Sequence, residues 1–361
     1  MPKTSVLFKV LIPSLAVAFI LTVGYEAANA PRLAGQVPRG PAQKANRPYQ
    51  VVHGWPVLPE GIVFGHVTGV GVDSHNHVFV FHRADHSIFN KTFDQLISSP
   101  AIMCFEGSTG KLVASWGANR FLDPHGLRVD QDDHIWVTDI QLHQVFKFSH
   151  DGQLLMALGE ARKPGLDGKH FNQPTDVAVA PDGSFYVSDG HGDGNDRVAK
   201  FSSKGEFLFD WGHKGDQPGE FDIPHSITMD REGRVYVADR TNSRIQVFKG
   251  DGTFLYQWKT PQLKRPYISK TPQAITFGPD GYLYVVDGDA AEVTGRNGLL
   301  VTAYREPLLR LETSGNIAEM WGSYGYYDGQ LDGAHDIAVG RDGAVYVGDI
   351  FGRRVQKFVR P

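Results

Sequence analysis

Residues 221–239 read Phe-Asp-Ile-Pro-His-Ser-Ile-Thr-Met-Asp-Arg-Glu-Gly-Arg-Val-Tyr-Val-Ala-Asp, and this stretch decides the fold. Short apolar or alternating runs lie on both sides of a Glu-Gly pair, which is the pattern of two β-strands joined by a two-residue hairpin turn. Two more such runs follow at 244–248 and 253–258, with no helical period between them. The segment therefore predicts a unit of four short strands.

The same unit recurs about every 50 residues along the chain. Its middle turn is repeated at 132–133, 182–183, 280–281 and 342–343. The strand that follows the turn ends in an aspartate in five copies: Asp139, Asp189, Asp239, Asp287 and Asp349. We interpret these aspartates as turn-forming residues, because they recur from copy to copy. A four-stranded repeat of this length predicts an all-β fold, a six-bladed β-propeller with one blade per unit.

The two ends of the repeat array predict how the ring closes. Blade six ends at 355–358, one strand short of a full unit. The missing outer strand has a recognisable pattern in other blades, at 112–117, 207–212 and 317–322, and residues 49–55 share that pattern. We therefore expect the N-terminal segment to supply the outer strand of blade six, which removes an exposed sheet edge.

The first 48 residues differ from the repeats. Residues 1–30 combine two lysines, an apolar stretch over 10–23 and an Ala-Asn-Ala end, which are the features of a cleavable secretory signal. The alternative is an uncleaved membrane anchor, which the short apolar run disfavours. Residues 31–48 are rich in Pro, Gly and Arg and are interpreted as a flexible linker, so that the propeller spans 49–361.

Composition limits the compartment and the classes of partner. The net charge of −4 gives no electrostatic case for nucleic acid or for an anionic membrane surface. Cys104 is the single cysteine, so the chain has no intrachain disulfide. Together with the signal, this predicts an exported protein, periplasmic or secreted, without stable membrane insertion once the signal is cleaved.

Three histidines occupy one repeat position in alternate blades, about two repeat lengths apart: His125, His225 and His335. Between them the same position holds Thr175 and Gln273. In a closed six-bladed ring, alternate blades lie about 120° apart, so three imidazoles would converge on one point of the channel. That is the three-ligand geometry of a catalytic zinc site with an open position, although Cu, Ni, Co or Fe would also accept imidazoles. The alternative is three hydrogen-bonded core histidines.

Two arginines are expected at the same mouth of the channel. Arg83 and Arg240 each follow the second strand of their blades, which lie opposite each other in the ring. A pair of cations beside a metal predicts a small anionic substrate, most simply a carboxylate. The alternative is that each arginine pairs with an aspartate such as Asp85 or Asp239.

Other polar residues carry weaker expectations. Asp336 directly follows His335, so along a regular strand it should face away from the metal. It could orient the site, hold a second cation, or be a satisfied buried carboxylate. The histidines of 75–77 lie in the hairpin turn of blade one, far from the mouth, and are expected to be solvated.

Several stretches resemble one enzyme family beyond the generic NHL repeat. They are 81–86 (Phe-His-Arg-Ala-Asp-His), 136–139 (Trp-Val-Thr-Asp), 142–147 (Leu-His-Gln-Val-Phe-Lys), 170–179, 187–190 and 238–240, together with the alternating histidines. These motifs resemble peptidyl-α-hydroxyglycine α-amidating lyases. The resemblance covers roughly residues 61–358.

The resemblance implies roles for individual residues. It implies that His125, His225 and His335 bind zinc, that Arg83 and Arg240 bind the substrate carboxylate, and that Arg83 acts in catalysis. It also implies a structural calcium held by the carbonyls of Val70 and Leu127 and by the side chain of Asp336. The catalytic tyrosine of the family is replaced here by His191, which follows Ser-Asp-Gly at 188–190.

The expected function is a metal-dependent lyase that cleaves the C–N bond of a peptidyl, or N-acyl, α-hydroxyglycine to an amide and glyoxylate. The base would be His191 or a hydroxide on the metal. A separate monooxygenase would supply the substrate. Two alternatives stay open: a non-catalytic NHL propeller that binds a peptide or protein partner, and a metal-dependent hydrolase, for which acidic metal ligands would be usual.

Overall fold

The computed structural model describes residues 48–87, 94–192, 194–259, 272–294, 300–305 and 307–361. Every regular element in these residues is a β-strand. The strands of the first three blades and the N-terminal strand are Gln50–Val51 (β1), Val67–Val72 (β2), His77–His82 (β3), Ile102–Glu106 (β4), Leu112–Trp116 (β5), Pro124–Val129 (β6), Ile135–Asp139 (β7), Gln144–Phe148 (β8), Leu154–Leu158 (β9), Pro174–Val179 (β10), Phe185–Asp189 (β11), Arg197–Phe201 (β12) and Phe207–Trp211 (β13).

The remaining strands belong to blades four to six. They are Pro224–Met229 (β14), Val235–Asp239 (β15), Arg244–Phe248 (β16), Phe254–Lys259 (β17), Ala274–Phe277 (β18), Leu283–Val286 (β19), Asp289–Thr294 (β20), Leu300–Arg305 (β21), Leu308–Leu311 (β22), Ile317–Trp321 (β23), Ala334–Val339 (β24), Val345–Asp349 (β25) and Arg354–Val359 (β26).

These strands form the predicted six-bladed propeller. Five blades are antiparallel sheets of strands consecutive in sequence, apart from an insertion in blade five, and the sixth has the order β1-β26-β25-β24. The first strand of each blade packs against the first strands of both neighbouring blades, and β24 packs against β2. The ring is therefore closed, and its six innermost strands surround one central channel.

The N-terminal strand closes blade six, as predicted. Val51 pairs with Phe358 in β26, and the next residue, Val52, donates its N–H to the carbonyl of Lys357 at 2.8 Å. Tyr49 anchors the segment: its ring stacks on Trp321 with 4.2 Å between centroids, and it is buried. Because Trp321 belongs to blade five, the N-terminal segment 49–55, which we call the clasp, joins blades five and six and also completes a sheet.

Blade five contains an element that the repeat pattern does not predict. The hairpin β20–β21 is inserted between the second strand, β19, and the third strand, β22. The insertion separates strands that are otherwise joined by a short turn, so it hides the third strand from a search for a regular repeat.

The hairpin between the first two strands of a blade differs from the predicted two-residue turn. In blade four, residues 230–234 join β14 to β15. The Asp230 carboxylate accepts the backbone N–H of Arg234 at 2.8 Å, and the Asp230 N–H donates to the Arg234 carbonyl at 3.1 Å. Gly233 has a φ of 79°, which explains the recurring glycine. The prediction of the hairpin is confirmed, but its loop is longer and is organised by an aspartate side chain.

The equivalent aspartate in blade one has histidine partners. Asp73 is buried, and its Oδ2 lies 2.9 Å from Nδ1 of His77 and 2.8 Å from Nε2 of His150, which comes from blade two. His75 is exposed, as expected. The expectation that His77 is merely solvated is wrong, because its ring binds a buried carboxylate between two blades.

The aspartates that end the second strands of blades two, three, four and six organise a turn, as predicted. Asp239 accepts the N–H of Asp222 at 2.8 Å from the loop before β14. It also binds Nε of Arg244, from the third strand, at 2.6 Å. The same pairing joins Arg197 to Asp189 in blade three and Arg354 to Asp349 in blade six. The aspartate therefore fixes both the loop that leads to the channel and the neighbouring strand.

The apolar core lies between adjacent blades. Phe81 of blade one meets Phe121 of blade two edge to face at 4.8 Å, and both rings are fully buried. Packing of this kind repeats around the ring, so each blade is stabilised by its neighbours and not by a core of its own.

The predicted signal and nearly all of the predicted linker, residues 1–47, lie outside the described residues. Across the described part of the chain, no helix has the length and apolarity that a membrane span requires.

Removal of the clasp should destabilise the ring. We expect deletion of residues 31–56 to give aggregated protein or a lower melting temperature, because it exposes the edge of β26 and removes the Tyr49–Trp321 stack. Deletion of residues 31–46, which keeps β1, is the matched control. Size-exclusion chromatography and thermal unfolding compare the two. Equal stability of both deletions would show that the clasp does not hold the ring.

Candidate functional site

A β-bulge on the innermost strand aims the histidines into the channel. In blade four the register with β15 jumps from Pro224 to Ser226, so the residue between them has no partner in the ladder. The same jump occurs in blade six between Ala334 and Asp336, and in blade two it spans two residues. A bulged residue is turned relative to its strand. The histidines at these bulges, His125, His225 and His335, all line the central cavity.

The three imidazoles converge, as the spacing predicted. Their ring centroids lie 4.7 Å apart for His125 and His225, 4.8 Å for His125 and His335, and 4.9 Å for His225 and His335. Each ring offers a nitrogen, and these three atoms all lie within 4.8 Å of one another. A single metal ion can be reached by all three.

Hydrogen bonds to neighbouring blades fix the orientation of each ring. Nδ1 of each histidine lies within hydrogen-bond distance of a main-chain carbonyl: Thr175 for His125 at 2.8 Å, Gln273 for His225 at 2.6 Å, and Thr68 for His335 at 2.8 Å. Since a carbonyl oxygen only accepts, Nδ1 must carry the proton. The three acceptors occupy the histidine position of the other three blades. Histidine and carbonyl acceptor therefore alternate around the ring.

The inward nitrogens fit a metal ion. Nε2 of His125 and Nε2 of His225 are buried and have no hydrogen-bond partner among the described residues. A buried polar atom without a partner is costly, and a metal ion would satisfy both lone pairs. A histidine ligand whose other nitrogen donates to a carbonyl is the usual arrangement at metal centres. The residues present therefore suit zinc, which prefers imidazole nitrogen.

Burial keeps the histidines neutral. Burial, reinforced by the neighbouring His335 and His191, holds the pKa of His125 well below its ordinary value, and burial likewise lowers the pKa of His335 to about 3. The pKa of His225 is also well below its ordinary value, because of burial and the charge of Arg240. Neutral imidazole is the form that binds metal.

Arg83 lies beside this cluster and is buried. Its Nε is 2.7 Å from Oδ1 of Asp123 and 3.3 Å from the carbonyl of Pro124, the residue before His125. The ion pair therefore forms with Asp123 and not with Asp85, whose carboxylate accepts from Ser98. Burial raises the pKa of Asp123 to about 7, although Arg83 opposes the shift. Asp123 was not among the residues singled out from the sequence. Its signal there is that the residue two positions before the repeated channel position is an acid in blade two and not in blades three, four and six.

Arg240 acts on the same cluster from the opposite blade. Burial lowers its pKa to about 10, and its charge lowers the pKa of His225 and His335. Asp239, its predicted alternative partner, is engaged by Arg244 and by Asn242 at 2.9 Å. The two arginines therefore act on the histidines from opposite blades. That they bind a substrate carboxylate stays a prediction.

His191 stands next to the histidine cluster. Its ring centroid is 4.9 Å from that of His125 and 5.6 Å from that of His225. Its backbone N–H donates to the carbonyl of Gln173 at 3.0 Å, which fixes the loop. Gly190, just before it, has a φ of 153°, and an added Cβ would lie 2.5 Å from a backbone nitrogen. The loop thus places a partly buried ring beside the histidine cluster.

Asp336 faces the channel, which corrects the expectation that it faces away from the metal. Its carboxylate lines the same cavity as the three histidines. It accepts the backbone N–H of Val70 at 2.9 Å and Nη1 of Arg128 at 3.2 Å. The expectation failed because the bulge at His335 breaks the alternation of side chains along the strand.

The chain is similar in sequence to several known proteins. The family profile described as NHL repeat matches residues 121–148, 171–201 and 221–248. A peptidyl-glycine alpha-amidating monooxygenase A of Xenopus laevis is 37% identical over 84% of this chain, and the alignment covers 32% of that protein. The chain spans about a third of the length of this relative.

Two shorter relatives match over more of their own length. Peptidyl-alpha-hydroxyglycine alpha-amidating lyase 1 of Drosophila melanogaster is 34% identical over 88% of this chain and 60% of that protein. The human NHL repeat-containing protein 3 is 32% identical over 86% of this chain and 84% of that protein. Among solved structures, a streptogramin B lyase shares the fold, with a TM-score of 0.54, 15% identity, and coverage of 87% of this chain and 97% of that one.

The histidine cluster should bind zinc. We expect one zinc per purified chain by elemental analysis, and we expect His225→Ala to lose most of it, because two imidazoles hold the ion less tightly than three. His213→Ala is the matched control, since His213 is an exposed histidine outside the channel. Full retention of zinc by each of the three single alanine variants of the cluster would disprove the site.

Proposed function

The chain belongs to the NHL-repeat β-propeller proteins, and on that basis we propose that it is a metal-dependent carbon–nitrogen lyase that cleaves an N-acyl α-hydroxyglycine to an amide and glyoxylate. The observation that carries the proposal is the grouping of His191 with three converging neutral histidines, which feel the charges of the buried Arg83 and the partly buried Arg240. The names of the amidating lyase relatives support the same reaction class.

Arg83 and Arg240 would bind the carboxylate of the substrate. Asp123 contacts the Nε edge of Arg83, so the guanidinium is held in a fixed orientation. A planar guanidinium binds a carboxylate through two parallel hydrogen bonds, and burial strengthens such contacts because little water competes. The substrate α-carbon would then lie over the histidines.

His125, His225 and His335 would hold zinc through Nε2. The bound ion would act as a Lewis acid on the substrate hydroxyl oxygen and lower the pKa of that hydroxyl. The hydrogen bonds of Nδ1 to Thr175, Gln273 and Thr68 would keep each ring in the ligating tautomer.

His191 would move the proton. It accepts the proton of the substrate hydroxyl, the C=O bond of glyoxylate forms, and the C–N bond breaks with its electron pair going to nitrogen. The same proton then passes from His191 to the amide nitrogen, so the reaction needs no further reagent. The ring lies close enough to the cluster to reach a hydroxyl held there.

The substrate chemistry implies a partner reaction. An α-hydroxyglycine forms by hydroxylation of a C-terminal glycine, so we propose that a separate monooxygenase supplies it. We also propose that the chain works after export, in the periplasm or outside the cell, because of the signal features in residues 1–30.

The activity can be tested directly. We expect the zinc-loaded protein to release glyoxylate from a peptidyl α-hydroxyglycine, and we expect Arg240→Met to raise KM more than it lowers kcat, because the arginine contributes to binding of the carboxylate in ground state and transition state alike. A colorimetric glyoxylate assay follows the reaction. Zinc-loaded protein that releases no glyoxylate above the background rate would reject the proposal and favour a non-catalytic binding role.

His191 should control the chemical step. We expect His191→Ala to lower kcat by about 10²–10⁴-fold, the usual contribution of a positioned base, with zinc content unchanged. His191→Tyr should recover part of the loss, because a phenolate can also accept the proton. Glyoxylate release and elemental analysis are measured on the same samples. A loss smaller than about ten-fold in the alanine variant would show that another base removes the proton.

A further inference from the structure

Arg128 crosses the channel one layer below the histidines. Its side chain leaves β6 of blade two and reaches four other blades. Nη2 lies 2.5 Å from Oδ2 of Asp176, 3.0 Å from Oγ of Ser226 and 3.2 Å from the carbonyl of Ile275, while Nη1 lies 3.2 Å from Oδ1 of Asp336. One guanidinium therefore connects blades two, three, four, five and six.

The two carboxylates of this layer are already satisfied by donors. Asp336 accepts the N–H groups of Val70 and Ile337 at 2.9 Å in addition to Arg128. Asp176 accepts Oγ–H of Ser226 at 2.8 Å and the N–H of Ile227 at 3.0 Å. Both aspartates are buried. Each negative charge therefore has the same cationic partner and a set of N–H or O–H donors.

This arrangement does not fit the calcium ion that the family resemblance implies for Val70, Leu127 and Asp336. Calcium binds six to eight oxygen atoms at about 2.3–2.6 Å and no N–H groups. Here both oxygens of the Asp336 carboxylate already accept N–H donors, from Val70, Ile337 and Arg128. A divalent ion beside the Arg128 guanidinium would in addition meet a like charge in a buried setting.

We propose that Arg128 takes the place of the channel calcium in this chain, so that the propeller is held together at this level by a guanidinium and binds no calcium. The planar fork of an arginine suits the task because it reaches several acceptors in different directions. The proposal does not depend on the lyase activity. It makes the stability of the ring independent of calcium concentration.

Metal content and thermal stability of the wild-type protein give the first test. We expect elemental analysis of protein purified in buffer with added calcium to show zinc but only traces of calcium. We expect the melting temperature to be the same in calcium-free buffer and in buffer with calcium. One calcium per chain, or a melting temperature that rises with calcium, would overturn the proposal. Zinc is measured in the same samples, so that a failure of this proposal can be distinguished from a failure of the proposed zinc site.

Substitution of Arg128 gives the second test. We expect Arg128→Met to lower the melting temperature by about 5–15 °C, because it leaves two buried carboxylates without a counter-charge. The double variant with Asp176→Asn should melt higher than Arg128→Met alone, since one of those charges is gone. Arg231→Met is the matched control, because Arg231 is exposed and its Nη2 bonds the Pro279 carbonyl. An Arg128→Met protein as stable as the control would overturn the proposal. If that variant does not fold, the wild-type calcium measurement decides by itself.

Discussion

Closure of the ring is the constraint on which the site depends. Histidines from blades two, four and six can meet only if β24 packs against β2 and the six innermost strands surround one axis. The pairing of Val51 with Phe358 completes the last sheet, and the Tyr49–Trp321 stack ties it to blade five. Each histidine bonds a carbonyl of a neighbouring blade, but the Nε2 atoms of His125 and His225, which have no partner among the described residues, cost free energy until a metal is bound. Apolar packing between blades must therefore stabilise the arrangement that the metal site requires.

The channel contains two layers of polar side chains: one holds neutral imidazoles and the other holds ion-paired charged groups. In the upper layer, burial and the charges of Arg83 and Arg240 favour neutral imidazoles, the form that binds metal. In the lower layer, Arg128 forms ion pairs with both Asp176 and Asp336. The β-bulges make this stacking possible, because they bring two consecutive residues of a strand, His335 and Asp336, to the same channel at different depths.

The sequence predicted those features that follow from the repeat itself. The blade count, the clasp over residues 49–55 and the convergence of the histidines all depend on spacing, which a repeat preserves. The sequence predicted less well the orientation and partners of individual side chains that do not follow the repeat. Asp336 was placed on the wrong face because the bulge is invisible in strand alternation. The alternative considered for Arg83 was a sequence neighbour, Asp85, whereas its partner Asp123 comes from the next blade. Arg128 was missed because its partners come from four other blades, between 48 and 208 residues away along the chain.

The Arg128 network also bears on how an anion could approach the metal. Asp176 and Asp336 line the same cavity as the histidines, and two uncompensated carboxylates there would repel a substrate carboxylate and weaken the field of Arg83 and Arg240. Arg128 pairs directly with both carboxylates and its single charge offsets one of the two negative charges. The N–H groups of Val70 and Ile337 further stabilise the carboxylate of Asp336. The lower layer is therefore less negative than two bare carboxylates would make it, and it opposes the charges of Arg83 and Arg240 less strongly. A buried arginine can thus serve the site above it without contacting either metal or substrate.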